Sequence, residues 1–192
     1  MIGITIVTLT AGAIYYFSII KNQETSDQIL VSDKPFLDQN VQDNEKEQIS
    51  GQYSLSIEKI NLSAPIILNV DGSNKETYMR ALEDGVAHLK STALPGTNGN
   101  LVIFGHSSYF VDKPGNYKKI FAGLNELQVN DKIKIKSEGK IYTYNVNNKS
   151  IVKPTDISVV SQNLSKKELT LITCWPINST EKRLIIKALL TE

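Results

Sequence analysis

The sequence predicts a mainly β domain, a barrel or sandwich, set behind an apolar N-terminal segment and a polar linker. Three observations carry this reading. Short apolar runs of strand length recur from Tyr53 to Leu190 with turn residues between them, and several alternate with polar residues. Residues 1–20 contain no charged side chain. Between these regions, Asp38 to Glu47 is polar, acidic and almost without apolar residues.

The N-terminal segment comes first. A helix of 20 residues is about 30 Å long, the thickness of a bilayer's hydrocarbon core. Tyr15, Tyr16 and Phe17 suit an interfacial aromatic belt. Ala11-Gly12-Ala13 resembles a signal-peptidase site, but a signal peptide opens with basic residues and none is present. Residues 1–20 are therefore expected to be a retained transmembrane anchor. Lys21, just after it, weakly places the following chain on the inner side. Residues 21–50 read as a linker whose composition cannot offset the entropy of ordering. Residues 51–192 form the expected domain.

Within the domain, Tyr53–Ile57 alternates as a half-buried strand. Lys75–Asp84 has helical spacing, with Tyr78, Met79 and Leu82 on its apolar side. Leu101–Phe104 is a continuous apolar run ended by Gly105, which predicts a buried strand. Residues 116–124 suggest a short helix. Lys132–Lys136 alternates, Glu138-Gly139 turns the chain, and Ile141–Val146 returns as the second strand of a hairpin. Ser150–Val152, Leu169–Thr173 and Leu184–Leu190 complete the strands.

Composition narrows the function. The 192 residues carry 21 basic and 20 acidic side chains, a formal net charge of +1, so nothing electrostatic favours a nucleic-acid partner. Two histidines and one cysteine do not make a structural zinc site, which needs four ligands at tight spacing. No glycine-rich phosphate loop is present, and neither a metal nor a cofactor is expected. The single cysteine cannot form an internal disulfide. It is either an inert core thiol or a reactive group.

Three places hold candidate chemistry, because reactive side chains concentrate where strands end and loops begin. His106 emerges after the run ending at Phe104, and an imidazole exchanges protons near neutral pH. Cys174 ends the run Leu169–Thr173 just before Trp175-Pro176, at the rim of a sheet where substrate can reach a thiolate. Arg183 follows nine positions later at the head of the next run. Two antiparallel neighbours would bring the ends of these runs together, and a guanidinium can hold a developing oxyanion. Each residue also has a bland reading: a surface histidine, a core cysteine, a solvated arginine. Asp112 lies close enough in sequence to touch His106. Trp175 reads as core or pocket wall, and His88 as packed or pocket-lining.

Together these segments resemble the sortases, cysteine transpeptidases of Gram-positive cell surfaces. Thr170-Leu171-Ile172-Thr173-Cys174 is similar to the family's Thr-Leu-x-Thr-Cys signature. Thr92–Gly96, Gly99-Asn100 and Gly105-His106-Ser107 are similar to the stretch leading to its catalytic histidine. The resemblance covers residues 53–190 and implies an eight-stranded β-barrel. It implies Cys174 as nucleophile, His106 as proton carrier and Arg183 as oxyanion donor. Thr173, Trp175 and His88 become the candidate substrate-binding residues. The implied reaction cleaves a Leu-Pro-x-Thr-Gly-like sorting signal through a thioacyl enzyme and passes the acyl group to an amine. The implied partners are surface proteins bearing that signal and a peptidoglycan-precursor amine, or a pilin lysine. Family anchors place the catalytic domain outside the cell, against the weak Lys21 signal, and one lysine is little charge bias.

Asp33-Lys34-Pro35-Phe36 is only a loose echo of the lid of pilin polymerases, and Glu192 follows no second apolar helix. This favours a housekeeping or class D-like enzyme. A papain-like arrangement is disfavoured because His106 precedes Cys174, and an L,D-transpeptidase type because Trp175-Pro176 follows the cysteine. A tethered, non-catalytic binding module is the reading from a different class.

Overall fold

The computed structural model describes residues 52–192. The expected anchor (1–20), linker (21–50) and Asp33–Phe36 motif lie outside the described residues. Among the described residues, no helix is long and apolar enough to cross a membrane.

The strands are β1 (Tyr53–Ile57), β2 (Leu62–Val70), β3 (Val86–Leu89), β4 (Gly99–Phe104), β5 (Lys132–Ser137), β6 (Lys140–Val152), β7 (Lys167–Trp175) and β8 (Lys182–Leu190). An α-helix, α1 (Lys75–Asp84), joins β2 to β3. The strands close into a barrel in the order β1-β2-β3-β4-β7-β8-β6-β5. Closure leaves no unpaired edge. Side chains alternate inward and outward, so Leu55, Ile57, Ile133, Ile135, Tyr144, Leu169, Leu171 and Ile186 fill the interior. A second, smaller cluster packs α1 on the outside: Val70, Ala81, Leu82 and Ala87, with Ile67, Tyr78 and Phe104 against it. The helix starts well, because the Asn74 side chain accepts a hydrogen bond from the Thr77 N–H.

Four features differ from the sequence reading. Strand β2 carries Pro65 and apolar residues on both faces, so it shows no clean alternation. Pro65 is tolerated because it sits in the outermost pair with β1, opposite Ser54. A register shift between Ile67 and Val70, with Asn69 at a φ of 56°, turns Val70 onto the α1 side. The short β3 hides in a stretch too brief to show a period. The expected helix over 116–124 is instead a run of turns leading to a 3₁₀-helix, Ala122–Glu126. Phe121, Leu124 and Leu127 recur every third residue and are all fully buried, which matches the three-residue turn of a 3₁₀-helix. Lastly, Ile141–Val146 and Ser150–Val152 are one 13-residue strand with a register shift between Val146 and Asn148.

The barrel is not wholly antiparallel. β2 runs parallel to β3, and β4 parallel to β7. The second of these pairings places the site. Parallel pairing brings the C-terminal ends of β4 and β7 to one rim, and the antiparallel pairing of β7 with β8 brings the start of β8 to the same rim.

Candidate active site

Cys174 and Arg183 are direct partners across the β7–β8 ladder. Residues opposite each other in such a pair share a face and have Cβ atoms about 5 Å apart. Leu169 and Leu171 point inward, so Ile172 and Cys174 lie on the outer face of the barrel. The thiol is free and half-buried. The Trp175–Pro176 peptide that follows is cis.

His106 leaves β4 two residues after Phe104, and three hydrogen bonds fix its backbone. The Gly105 N–H donates to the Ile172 carbonyl at 3.1 Å, and the Phe121 N–H donates to the His106 carbonyl at 2.9 Å. The Thr173 hydroxyl donates to the Gly105 carbonyl at 2.8 Å. The residue before Cys174 thus holds the residue before His106. Gly105 is required here by close approach, since a Cβ would lie 2.9 Å from the buried Phe121 ring.

These residues line one groove of about 670 Å³. Its floor is the outer face of β4 and β7, with Val102, Phe104, Ile172 and Cys174. Tyr78, Met79 and Leu82 of α1 form an apolar wall, and Ser108, Asn178, Ser179 and Thr180 form a polar one. The two loops of the polar wall are joined where the Asn178 N–H donates to Ser108 Oγ at 3.0 Å.

Arg183 Nη1 donates to the Thr180 and Lys182 carbonyls, both at 3.0 Å, which sets the plane of the guanidinium. No carboxylate among the described residues pairs with Arg183, and none lines the groove. Its charge is therefore left to favour a thiolate or an oxyanion beside it. Burial holds the His106 imidazole below the ordinary histidine range. Its ring stacks on Tyr109, with centroids 4.6 Å apart and planes 9° from parallel.

The structure thus brings Cys174, His106 and Arg183 to one groove. Thr173 lines the groove but is buried, its hydroxyl bound to the Gly105 carbonyl rather than directed at a ligand. Trp175 does not line it and packs against the interior cluster. His88 is fully buried and is not among the residues that line the groove. Its Nδ1 accepts from the Asn69 N–H at 3.2 Å, which leaves Nε2 protonated and facing Thr92 Oγ1 at 3.0 Å. Asp112 is exposed and makes no contact with His106. Tyr109, Ser108 and Asn178 escaped the sequence reading, and the one signal was an aromatic three residues after His106. Among the described residues, no group of acidic, histidine and cysteine side chains could hold a metal ion.

The family model of the Sortase domain matches residues 55–191. The chain is 31 % identical over 142 residues to Sortase D of Bacillus subtilis (strain 168), covering 71 % of this chain and 63 % of that protein. It is 29 % identical over 142 residues to Sortase A of Bacillus anthracis, covering 74 % of this chain and 60 % of that one. The chain thus spans less than two thirds of the length of these relatives. Among solved structures, it matches a Sortase D5 transpeptidase of Clostridium perfringens with a TM-score of 0.61 and 30 % identity, covering 79 % of this chain and 89 % of the other. Sortase A from Corynebacterium diphtheriae matches with a TM-score of 0.60 and 31 % identity, covering 73 % and 60 %.

Proposed function

The chain belongs to the sortase family, and from that premise we propose that it is a cysteine transpeptidase with Cys174 as nucleophile, His106 as proton carrier and Arg183 as oxyanion donor. One observation carries the reading: Cys174 and Arg183 face each other across β7 and β8 at the floor of a groove that His106 also lines.

The geometry supports each role. The Cys174 thiolate attacks the carbonyl of a peptide bond laid along the groove, and a C–S bond forms. The negative charge moves to the carbonyl oxygen, beside the unpaired guanidinium of Arg183. Collapse breaks the C–N bond, and the His106 imidazolium gives its proton to the departing amine. A thioester to Cys174 remains. An incoming amine then gives its proton to the now neutral His106 and attacks the thioester, and the thiolate leaves. The depressed proton affinity of His106 makes its imidazolium a stronger acid toward the leaving amine, at the cost of its population at neutral pH.

The substrate reading is a Leu-Pro-x-Thr-Gly-like sorting signal on a surface protein. The apolar wall of Tyr78, Met79 and Leu82 suits its leucine and proline. The acceptor reading is a cell-wall or pilin amine. The relatives, Sortase D and two Sortase A proteins among them, support a class D-like or housekeeping enzyme. Residues 1–20 would hold the chain in the cell membrane with its catalytic domain outside.

Full-length chain incubated with a fluorogenic sorting-signal peptide and an amine acceptor tests the activity. A ligated product is expected, together with a thioacyl adduct on Cys174 by mass spectrometry. Product formation surviving Cys174→Ala would refute the reading. A membrane-impermeant maleimide tests the location, because Cys174 is the one cysteine of the chain. Intact cells should be labelled, and labelling only after lysis would place the domain inside.

A further inference from the structure

The three hydrogen bonds at Gly105 and His106 hold the backbone and leave the imidazole free to turn. A proton carrier must present its ring edge to the leaving and entering amines, so something has to fix the ring. Neither ring nitrogen of His106 has a hydrogen-bond partner among the described residues, and no carboxylate orients it. Its one ring contact among the described residues is Tyr109, stacked face to face at 4.6 Å. Tyr109 is itself braced. Phe110 meets it edge-on, with centroids 5.6 Å apart and planes at 64°. The neighbouring Ser108 is tied to the opposite loop through Asn178.

Resting on His106 as the proton carrier of the proposed reaction, we propose that Tyr109 is its positioning residue, acting as a flat rest that sets the plane of the imidazole. Stacking suits this task. It covers one ring face, stops rotation and excludes water from that side. It leaves the edge, where both nitrogens lie, open to the groove that both residues line. The aromatic ring does this and not the hydroxyl, since the Tyr109 hydroxyl has no hydrogen-bond partner among the described residues.

The test compares Tyr109→Phe with Tyr109→Ala in the full-length chain, after circular dichroism shows both folded. Ligation of the sorting-signal peptide is followed alongside an NMR titration of the His106 Hε1 resonance, one of only two histidine signals. Tyr109→Phe should keep both kcat and the titration midpoint. Tyr109→Ala should lower kcat about ten- to a hundredfold with little change in KM, and the midpoint should move up toward the ordinary histidine value as water reaches the ring. Alkylation of Cys174 should proceed at an unchanged rate in both. An alanine variant with unchanged kcat and midpoint would overturn the proposal, as would a phenylalanine variant as damaged as alanine. The NMR arm reads the stack without turnover, so an enzyme that ligates no peptide refutes the functional reading and leaves the stack measurable.

Discussion

Thr173→Val separates what holds the fold from what holds the site. The substitution keeps the shape of the side chain and removes one buried hydroxyl that donates to the Gly105 carbonyl at 2.8 Å. A neutral hydrogen bond contributes about 0.5–1.5 kcal/mol net, and a buried acceptor left without its partner raises the cost to about 1–3 kcal/mol. For a domain of this size each kcal/mol lowers Tm by about 4 °C. Thr170→Val is the matched control. Thr170 is fully buried on the same strand and donates to Asn100 Oδ1 at 2.8 Å. It lies four residues below Cys174, about 13 Å along β7. Urea denaturation should show similar losses for the two variants. Ligation should not. Thr173→Val releases the carbonyl that anchors His106, so its kcat should fall about tenfold or more, since small misplacements of a reacting group are costly. Thr170→Val should keep nearly full kcat, and Thr173→Ser should recover most of both quantities. The reasoning fails if Thr173→Val loses stability and keeps its kcat. It fails equally if both valine variants lose kcat alike, since the effect would then be global.

Three further outcomes follow from the same geometry. Arg183→Lys keeps the charge but loses the fork that spans the Thr180 and Lys182 carbonyls and the groove, so kcat should fall about a hundredfold while Cys174 still reacts with maleimide; an active lysine variant would remove Arg183 from the oxyanion role. Gly105→Ala forces a methyl within 2.9 Å of the Phe121 ring, so urea denaturation should show a loss of about 1–3 kcal/mol and ligation should weaken with it. Burial lowers the proton affinity of His88, partly offset by its hydrogen bonding at Thr92 and Ala93. The unfolded chain therefore binds more protons near His88 than the folded one, and this stability is full above about pH 6.5 and is lost as pH falls below it. Each tenfold weakening of proton binding is worth about 1.4 kcal/mol. The carboxylates with shifted affinities, Glu58, Asp71, Asp131 and Asp156, are all lowered and so respond only at more acid pH. His106, lowered in the same way, responds in the same window, so His88→Asn should reduce the slope of the stability profile between pH 7 and 5 and leave the share of His106, and an unchanged slope would clear His88 of the effect.

The strands read correctly from sequence are those whose two faces meet different surroundings. β1 and β5 alternate because one face fills the barrel and the other meets water. β4 and β7 read as apolar runs because α1 and the groove cover much of their outer face. β2 and β3 went unread for a related reason. Packing α1 on the outside makes both faces of β2 apolar, and β3 has only four residues. The bulge at Asn69 then shifts the pattern within one strand. The 3₁₀-helix over Ala122–Glu126 misled because residues spaced by three satisfy both a helix and a tighter turn over so short a span.

The site divides along the same line between local and distant information. Cys174 and Arg183 are near in sequence, and a hairpin-like reading of β7 and β8 was enough to make them neighbours. His106 reaches them only because β4 runs parallel to β7, and a parallel pair has no local turn to announce it. Motif likeness supplied that link where periodicity could not. His88 shows the limit of residue type as evidence. It and His106 are both buried enough to lose proton affinity. One has both nitrogens engaged by Asn69 and Thr92, and the other has no hydrogen-bond partner for either nitrogen among the described residues and rests its face on Tyr109. A histidine whose nitrogens are already bonded holds the fold, and one that lines a groove with its nitrogens unbonded among the described residues is available to move a proton. That difference lies in hydrogen bonds that close only once distant strands have met, which is why composition left the two histidines alike and the barrel set them apart.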